Sequence, residues 1–312
     1  MRSIIKIVGR VKQFGGLRLM RTYVNEGMGS IVIHRLWDIA RGRETVDEAY
    51  GHLRMTVYQH LLRQYGSLIA QQSETYKMAV LEQQRSDKVW VCWLQGFETA
   101  PELVKKCVAS MRKHLTGKDI VLVTNENYKT YATIPDLIVR KYEKGTIPPA
   151  LFSDLLRLEL LIRHGGTWMD ASILCTGSHY PKEIMDCDLF MFQRLVRGDC
   201  RFYGISNWFI TACTNNRLLL VLRDVLLQYW RDYDCTMDYY MFHDFFYEIA
   251  KLFPEEIAAM PRKNRLLPLK VLERNGVIPN KDWLTELKKR CCFHKLNYRL
   301  PNMIEAARML EE

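Results

Sequence analysis

The stretch Phe152–Thr176, FSDLLRLELLIRHGGTWMDASILCT, holds the residues with the clearest chemical potential. Asp154 and Arg157 stand three positions apart, a spacing that puts both on one face of a helix. Leu155, Leu158, Leu161 and Ile162 give that helix its apolar stripe. Gly165 and Gly166 then stop it, because glycine takes the left-handed conformation that a C-terminal cap needs. Thr167–Leu174 reads as a buried strand with Asp170 in its middle. A carboxylate among Trp168, Met169, Ile173 and Leu174 is costly to bury, so a bound metal or nucleotide is one reason for its presence. A hard divalent cation takes oxygen ligands and bridges to substrate phosphates. Arg157 offers phosphate or carboxylate a bidentate fork. A second reading stands beside this one, in which Asp154 and Arg157 form a structural ion pair that caps helix and sheet.

The elements that must position these groups follow from periodicity. Val89–Leu94, VWVCWL, is a β-branched and aromatic run and predicts a buried strand. Pro101 opens a helix at no cost in hydrogen bonds, with Leu103, Cys107, Val108, Met111 and Leu115 on its apolar face. Asp119–Val123 predicts the second strand, Asn125 and Asn127 a turn, and Leu137–Val139 a third short strand. Buried strands alternating with helices imply a parallel α/β sheet, whose ligands bind at the carboxyl ends of strands. Trp93 and Gly96 stand at such an end. Further strands are expected at Asp188–Phe192 and Asn207–Ala212, and a helix at Asn215–Tyr229 with Thr214 as its N-cap. An aromatic-rich helix over Asp238–Phe253 is read as core, and a last helix over Lys281–Lys289 leads into CCFHKLNYR, Cys291–Arg299. Residues 1–86 read as mostly helical, broken at Gly15–Gly16 and at Gly27–Gly29.

Composition narrows the class. A chain of 312 residues, 48% apolar and 26% charged, is an ordinary globular protein with room for one large domain or two smaller ones. No run approaches the ~18 uncharged residues of a membrane span, and Lys6, Arg10 and Lys12 interrupt any secretory signal. Nine cysteines without a CxxC argue against a zinc site and for a reduced, cytoplasmic protein. The net charge of +10 is concentrated at the start, where Arg2, Lys6, Arg10, Lys12, Arg18 and Arg21 precede Glu26 among aliphatic residues. That interleaving fits a helix lying on an anionic membrane surface, with a first helix packed on the body as the equal alternative. No nucleic-acid motif accompanies the charge.

The stretch SDLLRLELLIRHGGTWMDAS closely resembles the S-D-x-x-R…G-G-x-x-x-D-x-[D/S/T] core of the DXD sugar-binding glycosyltransferases. The nearest group is the bacterial capsular polysaccharide synthesis glycosyltransferases; fungal mannosyltransferases and glucosylating toxins are more distant. VWVCWLQGFETAPELVKKCVASM, KYEKGTIPPALFSD and CCFHKLNYR resemble further parts of the capsular pattern, so the similarity spans about Lys88 to Arg299. It implies a GT-A-like, Rossmann-like α/β domain over 87–312, with a central, mostly parallel sheet flanked by helices, and a helical basic extension over 1–86. It implies a hexosyltransferase that moves sugar from a nucleotide-diphosphate-sugar to a growing glycan. The implied acceptor is a lipid-linked capsular intermediate, with the protein peripheral on the inner face of the membrane. A phosphosugar transferase and a non-catalytic scaffold of capsule assembly remain as alternatives.

Site roles carry over residue by residue. Trp93, with Gly96 at its turn, is expected to border the nucleobase, and Asp154 to bond ribose or sugar hydroxyls. Arg157 is expected to contact sugar or diphosphate, Trp168 to shape the nucleotide pocket, and Asp170 to meet metal and ribose. Asp170 and Arg157 form the implied catalytic pair. His294 and Lys295 are expected to close over the diphosphate. The implied metal is Mn²⁺ or Mg²⁺, held by Asp170, Ser172 and His294. Ser172 stands where D-x-D has its second acid, and a hydroxyl is a weaker ligand for a hard cation. The task of all these groups is to stabilise negative charge on the leaving diphosphate. Asp199 and Asp244 are candidate acceptor-side bases, and Asn207 can reach the site from its strand. His164 fits a helix C-terminus, where a cation complements the dipole, and His243 reads as a satisfied helix histidine.

Overall fold

A computed structural model describes residues 16–177, 180–194, 204–278 and 280–312. The chain divides into two compact units, one of residues up to Ala79 with 134–155 and 220–253, the other of 80–133, 156–219 and 254–312. The N-terminal helices therefore share a unit with two later segments.

The longer helices are α1 (Leu17–Asn25), α2 (Gly29–Ala40), α3 (Val46–Met78), α4 (Glu102–His114), α5 (Asp136–Glu143), α6 (Pro149–His164), α7 (Arg217–Asp232), α8 (Met241–Ala250), α9 (Lys281–Arg290) and α10 (Met303–Glu311). The strands are β1 (Lys88–Cys92), β2 (Asp119–Val123), β3 (Gly166–Met169), β4 (Ile173–Cys175), β5 (Leu189–Gln193), β6 (Ile205–Ala212) and β7 (Phe293–Lys295).

The second unit carries a sheet in the order β2-β1-β3-β6-β5. β1 runs parallel to β2 and β3, and β6 is antiparallel to both β3 and β5, so β6 alone is reversed. This is the mostly parallel sheet that buried strands predict. Val89, Trp90 and Val91 are completely buried, as a strand covered on both faces requires. The paired glycines set the spacing between helix and sheet. Gly165 and Gly166 have φ of +65° and +95°, and a Cβ at Gly166 would lie 2.3 Å from the Lys88 carbonyl oxygen. Only glycine lets β3 come this close to β1 with that backbone. The Trp90 indole N–H then donates to the Gly165 carbonyl at 2.9 Å.

A two-stranded ribbon, β4 antiparallel to β7, completes the frame. Ile173, Cys175 and Phe293 join the sheet's core, with Val104, Met111, Met169 and Phe209. Leu174 and Leu296 join a second core with Leu103, Leu284 and Met303. The ribbon thus divides two apolar clusters by the two-residue alternation of its strands.

Three sequence expectations need correction. Thr167–Leu174 is not one strand: β3 ends at Met169, the Ile173 N–H bonds the Asp170 carbonyl at 3.0 Å, and the chain turns into the ribbon. Asp170 therefore sits in the turn, its own N–H tied to the Trp208 carbonyl at 2.9 Å. Leu137–Val139 lies inside α5, where Pro135 is the N-cap and Ile138 the buried residue, so one-sided packing overrides β propensity. Thr214 is not the cap of α7. Its hydroxyl accepts from the Gln84 N–H at 2.9 Å, and Asn216 Oδ1 accepts from the Leu219 N–H at 3.4 Å.

In the first unit α3 runs for 33 residues, opened by a capping box between Thr45 and Glu48. Its buried stripe includes Val57, Leu61, Tyr65 and Ile69. Three tyrosines of α3 donate to carboxylates of the 220–253 segment: Tyr58 to Glu248, Tyr65 to Asp232 at 2.8 Å and Tyr76 to Asp224 at 2.6 Å. Arg2, Lys6, Arg10 and Lys12 lie outside the described residues; Arg18 and Arg21 are exposed on α1 beside exposed Leu17 and Val24. Among the described residues no helix is long and apolar enough to cross a membrane.

Candidate active site

Asp170 is the centre of a charge cluster in the second unit. Three side chains point at its carboxylate. Lys295 Nζ lies 2.9 Å from Oδ2, the Trp168 indole N–H donates to Oδ1 at 3.0 Å, and Arg157 Nη2 lies 3.8 Å from Oδ1. Burial opposes ionisation of Asp170, but Lys295 and then Arg157 outweigh it, so the carboxyl is held below its ordinary range. The Lys295 ammonium also donates to Ser172 Oγ at 2.6 Å, spanning both side chains of the D-x-S pair.

Each partner is placed by a different element. Arg157 comes from the middle of α6, and its Nη1 donates to the Asn207 carbonyl of β6 at 2.8 Å. Its guanidinium rests over the Trp168 ring, 4.8 Å from the centroid. Trp168 is 2% exposed, so it acts as a buried floor under Arg157 and an orienting donor to Asp170 rather than as the wall of an open pocket. Lys295 is the last residue of β7 and pairs with Ile173, directly after Ser172. The side chain of Arg157 is 6% exposed, while Lys295 at 16% and Asp170 at 28% form the open side of the cluster.

The neighbouring strand end carries the expected turn. The Trp93 N–H bonds the Val123 carbonyl at 2.9 Å, and the Gly96 N–H returns to the Trp93 carbonyl at 3.0 Å. Gly96 has φ +89°, which a side chain would strain. The Trp93 ring meets Tyr298 edge-on at 5.2 Å. Cys92, at the end of β1, feels both Arg157 and Asp170, although burial dominates and pushes its thiol up to about 12. The carboxyl ends of β1 and β3 thus share one electrostatic environment. Tyr298 and the backbone carbonyls of Asn207 and Trp208 escaped the sequence reading. A tyrosine three residues after Lys295 was a visible signal, whereas carbonyl positions leave none.

Several expected residues stand elsewhere. His294 is completely buried on the opposite face of β7 from Lys295, beside Leu174 and Leu296. Its Nε2 bonds the Thr176 hydroxyl at 2.9 Å, and burial, with Lys288 adding to it, lowers its pKa to about 3. The structure does not bring it to Asp170 as a ligand. Asp154 lies on the part of α6 that belongs to the first unit and is 7% exposed. Asp199 lies outside the described residues. Asp244 belongs to the first unit, where Arg54 holds both it and Asp238, at 3.0 and 2.8 Å. His164 ends α6 as expected and bonds the Tyr131 carbonyl at 2.8 Å. Among the described residues no three His, Cys, Asp or Glu side chains gather as metal ligands. With Asp170 as the acid of this cluster among the described residues, and an ammonium already on Asp170 and Ser172, the donor set there does not suit a hard divalent cation.

What remains is a polar centre at the carboxyl ends of two adjacent parallel strands, with two cations around one carboxylate. Such a centre attracts a polyanionic group, and in open α/β sheets this is where ligands sit. The chain aligns with the solved structure of PaToxG glycosyltransferase at 13% identity and a TM-score of 0.40, over 75% of this chain and 86% of that one. No curated protein matches the chain. Residues 42–310 match the family described as capsular polysaccharide synthesis protein, and with most of its length in that match the chain belongs to this family.

Proposed function

We propose that this chain is a glycosyltransferase of hexosyl type that takes its sugar from a nucleotide-diphosphate-sugar and builds a capsular polysaccharide. The observation that carries the reading is Asp170 in the strand-end turn, faced by Lys295 and Arg157, in a member of a capsule-synthesis family. In the reaction the bond from the anomeric carbon to the diphosphate oxygen breaks and its electron pair leaves with the diphosphate. A new bond forms from the acceptor hydroxyl oxygen to that carbon, and the hydroxyl proton is released. Lys295 and Arg157 meet the charge that grows on the leaving group. Asp170 orients both cations and accepts a hydroxyl of the donor. Trp93 borders the base.

In this reading 87–312 carries transfer and 1–86 holds the protein to an anionic membrane at the inner face, where a lipid-linked acceptor resides. Exposed Arg18 and Arg21 beside Leu17 and Val24 support that placement. The test is incubation with a panel of nucleotide sugars, with released nucleotide followed by chromatography. Release of a nucleoside diphosphate, lost in Asp170→Ala, is the expected result. Release of a monophosphate makes the chain a phosphosugar transferase, and full turnover by a folded Asp170→Ala protein removes the site assignment.

A further inference from the structure

We infer that the cation opposite the leaving diphosphate in this chain is the Lys295 ammonium, and that donor binding needs no divalent metal. The inference rests on the transferase reading above.

Backbone register puts Lys295 where it is. β4 and β7 pair Ile173 with Lys295, and the Leu296 N–H bonds the Ser172 carbonyl at 2.9 Å. The side chain therefore leaves the ribbon beside Ser172, and its ammonium reaches Asp170 Oδ2 at 2.9 Å and Ser172 Oγ at 2.6 Å. These two oxygens are the ones a metal bridging the D-x-S pair would take. A divalent ion arriving there meets a fixed ammonium on both oxygens and a guanidinium 3.8 Å from the other carboxylate oxygen. His294, the third expected ligand, faces the opposite side of β7 and bonds the Thr176 hydroxyl.

Ser172 and Lys295 make sense as a pair. The Lys295 ammonium offsets the Asp170 carboxylate it touches. A second carboxylate at 172 would leave this pair of positions with an excess of negative charge and repel an incoming diphosphate. A hydroxyl there accepts the ammonium's hydrogen bond and adds no charge, so the ammonium stays available to a diphosphate. The cluster's open side is its Lys295 and Asp170 side, the direction from which a polyanion can enter.

The experiment is isothermal titration of the full chain with uridine, guanosine, adenosine and cytidine diphosphates, each in EDTA and in excess Mn²⁺. One diphosphate is expected to bind with the same affinity in both. Lys295→Met is expected to weaken it by roughly 10–100-fold, the size of a charged hydrogen bond, while the parent nucleoside binds as before and Lys295→Arg recovers part of the loss. A diphosphate that binds only with Mn²⁺ overturns the inference and leaves the transferase reading standing. No diphosphate binding in either condition removes the transferase reading and the inference with it. If Lys295→Met does not fold, the comparison of EDTA with Mn²⁺ on the unaltered chain still decides.

Discussion

Among the described residues, one charge cluster of each unit has a composition opposite to that of the other. In the first, Arg54 stands between two carboxylates, Asp238 at 2.8 Å and Asp244 at 3.0 Å. In the second, Asp170 stands between two cations, Lys295 and Arg157. The sign of the central group sets how each can be balanced. A surplus of carboxylate in a buried place is relieved by a proton: burial and then Asp238 raise Asp244 to about 6, against the pull of Arg54. That cluster balances itself and ties α3 to α8 and to the chain just before it. Two cations around one carboxylate instead attract an anionic guest.

Breaking this contrast starts with the largest effect. Asp170→Asn is expected to lower donor turnover at least about 100-fold, the scale of losing a preorganised charge at a reacting centre. Asp244→Asn is expected to leave turnover near that of the unaltered chain. Equal losses in the two variants, read by release of nucleoside diphosphate, would break the comparison and return Asp244 to the role of acceptor-side base.

A smaller effect is expected on stability. Arg54→Met leaves Asp238, whose side chain is 1% exposed, without its cation. Because the Arg54 side chain is itself 35% exposed, the expected cost is reduced by solvent screening to about 2 kcal/mol in urea unfolding. Asp238→Asn placed on top of Arg54→Met should recover part of it, since the uncompensated charge is the cause.

The smallest effect is a slope with pH, and it sharpens the contrast by sign. Asp244 has its folded pKa raised from 3.8 to about 6, so the native state holds the extra proton. Its contribution to stability is full below about 4 and is lost as pH rises through 6. His294 has its folded pKa depressed from 6.5 to about 3, so its contribution is full above 6.5 and is lost as pH falls. Asp244→Asn should therefore steepen the rise of stability between pH 4 and 6, by at most about 1.4 kcal/mol per pH unit for one proton. Urea midpoints across that range measure it, and an unchanged slope would show that Asp244 does not carry the proton.

Most elements were legible because their residues obey one period. VWVCWL and DIVLV became β1 and β2, and the helix after Pro101 became α4. The residues around Asp170 were harder. Trp168, Met169, Ile173 and Leu174 form one apolar run, and hydrophobicity does not register that the chain leaves one sheet and enters another. That change is set by the Asp170 N–H bonding Trp208 and by the pairing of Ile173 with Lys295, both contacts over long separation. Lys295 was visible only through its resemblance, because no local pattern ties it to Asp170. The outcome for His294 was legible in principle: adjacent residues of a strand face opposite ways, so His294 and Lys295 cannot both line one cavity. Trp168 and Asp170, two apart, do share a side, and their hydrogen bond follows.

The pairing of Asp170 with Lys295 spans 125 positions of chain, and this orders events during synthesis. Domains take shape as the polypeptide emerges, and contacts of long separation are slow because a large loop must close before they reward it. A growing chain that has delivered α6, the sheet and α7 still lacks the ammonium for Asp170, since β7 follows them all in the sequence. The cluster is therefore finished only once β7 has emerged, and a product truncated before Phe293 carries Asp170 and Arg157 without Lys295. On the transferase proposal such a fragment is expected to leave nucleotide sugar unspent, so that incomplete synthesis would yield an inert protein and not a wasteful one.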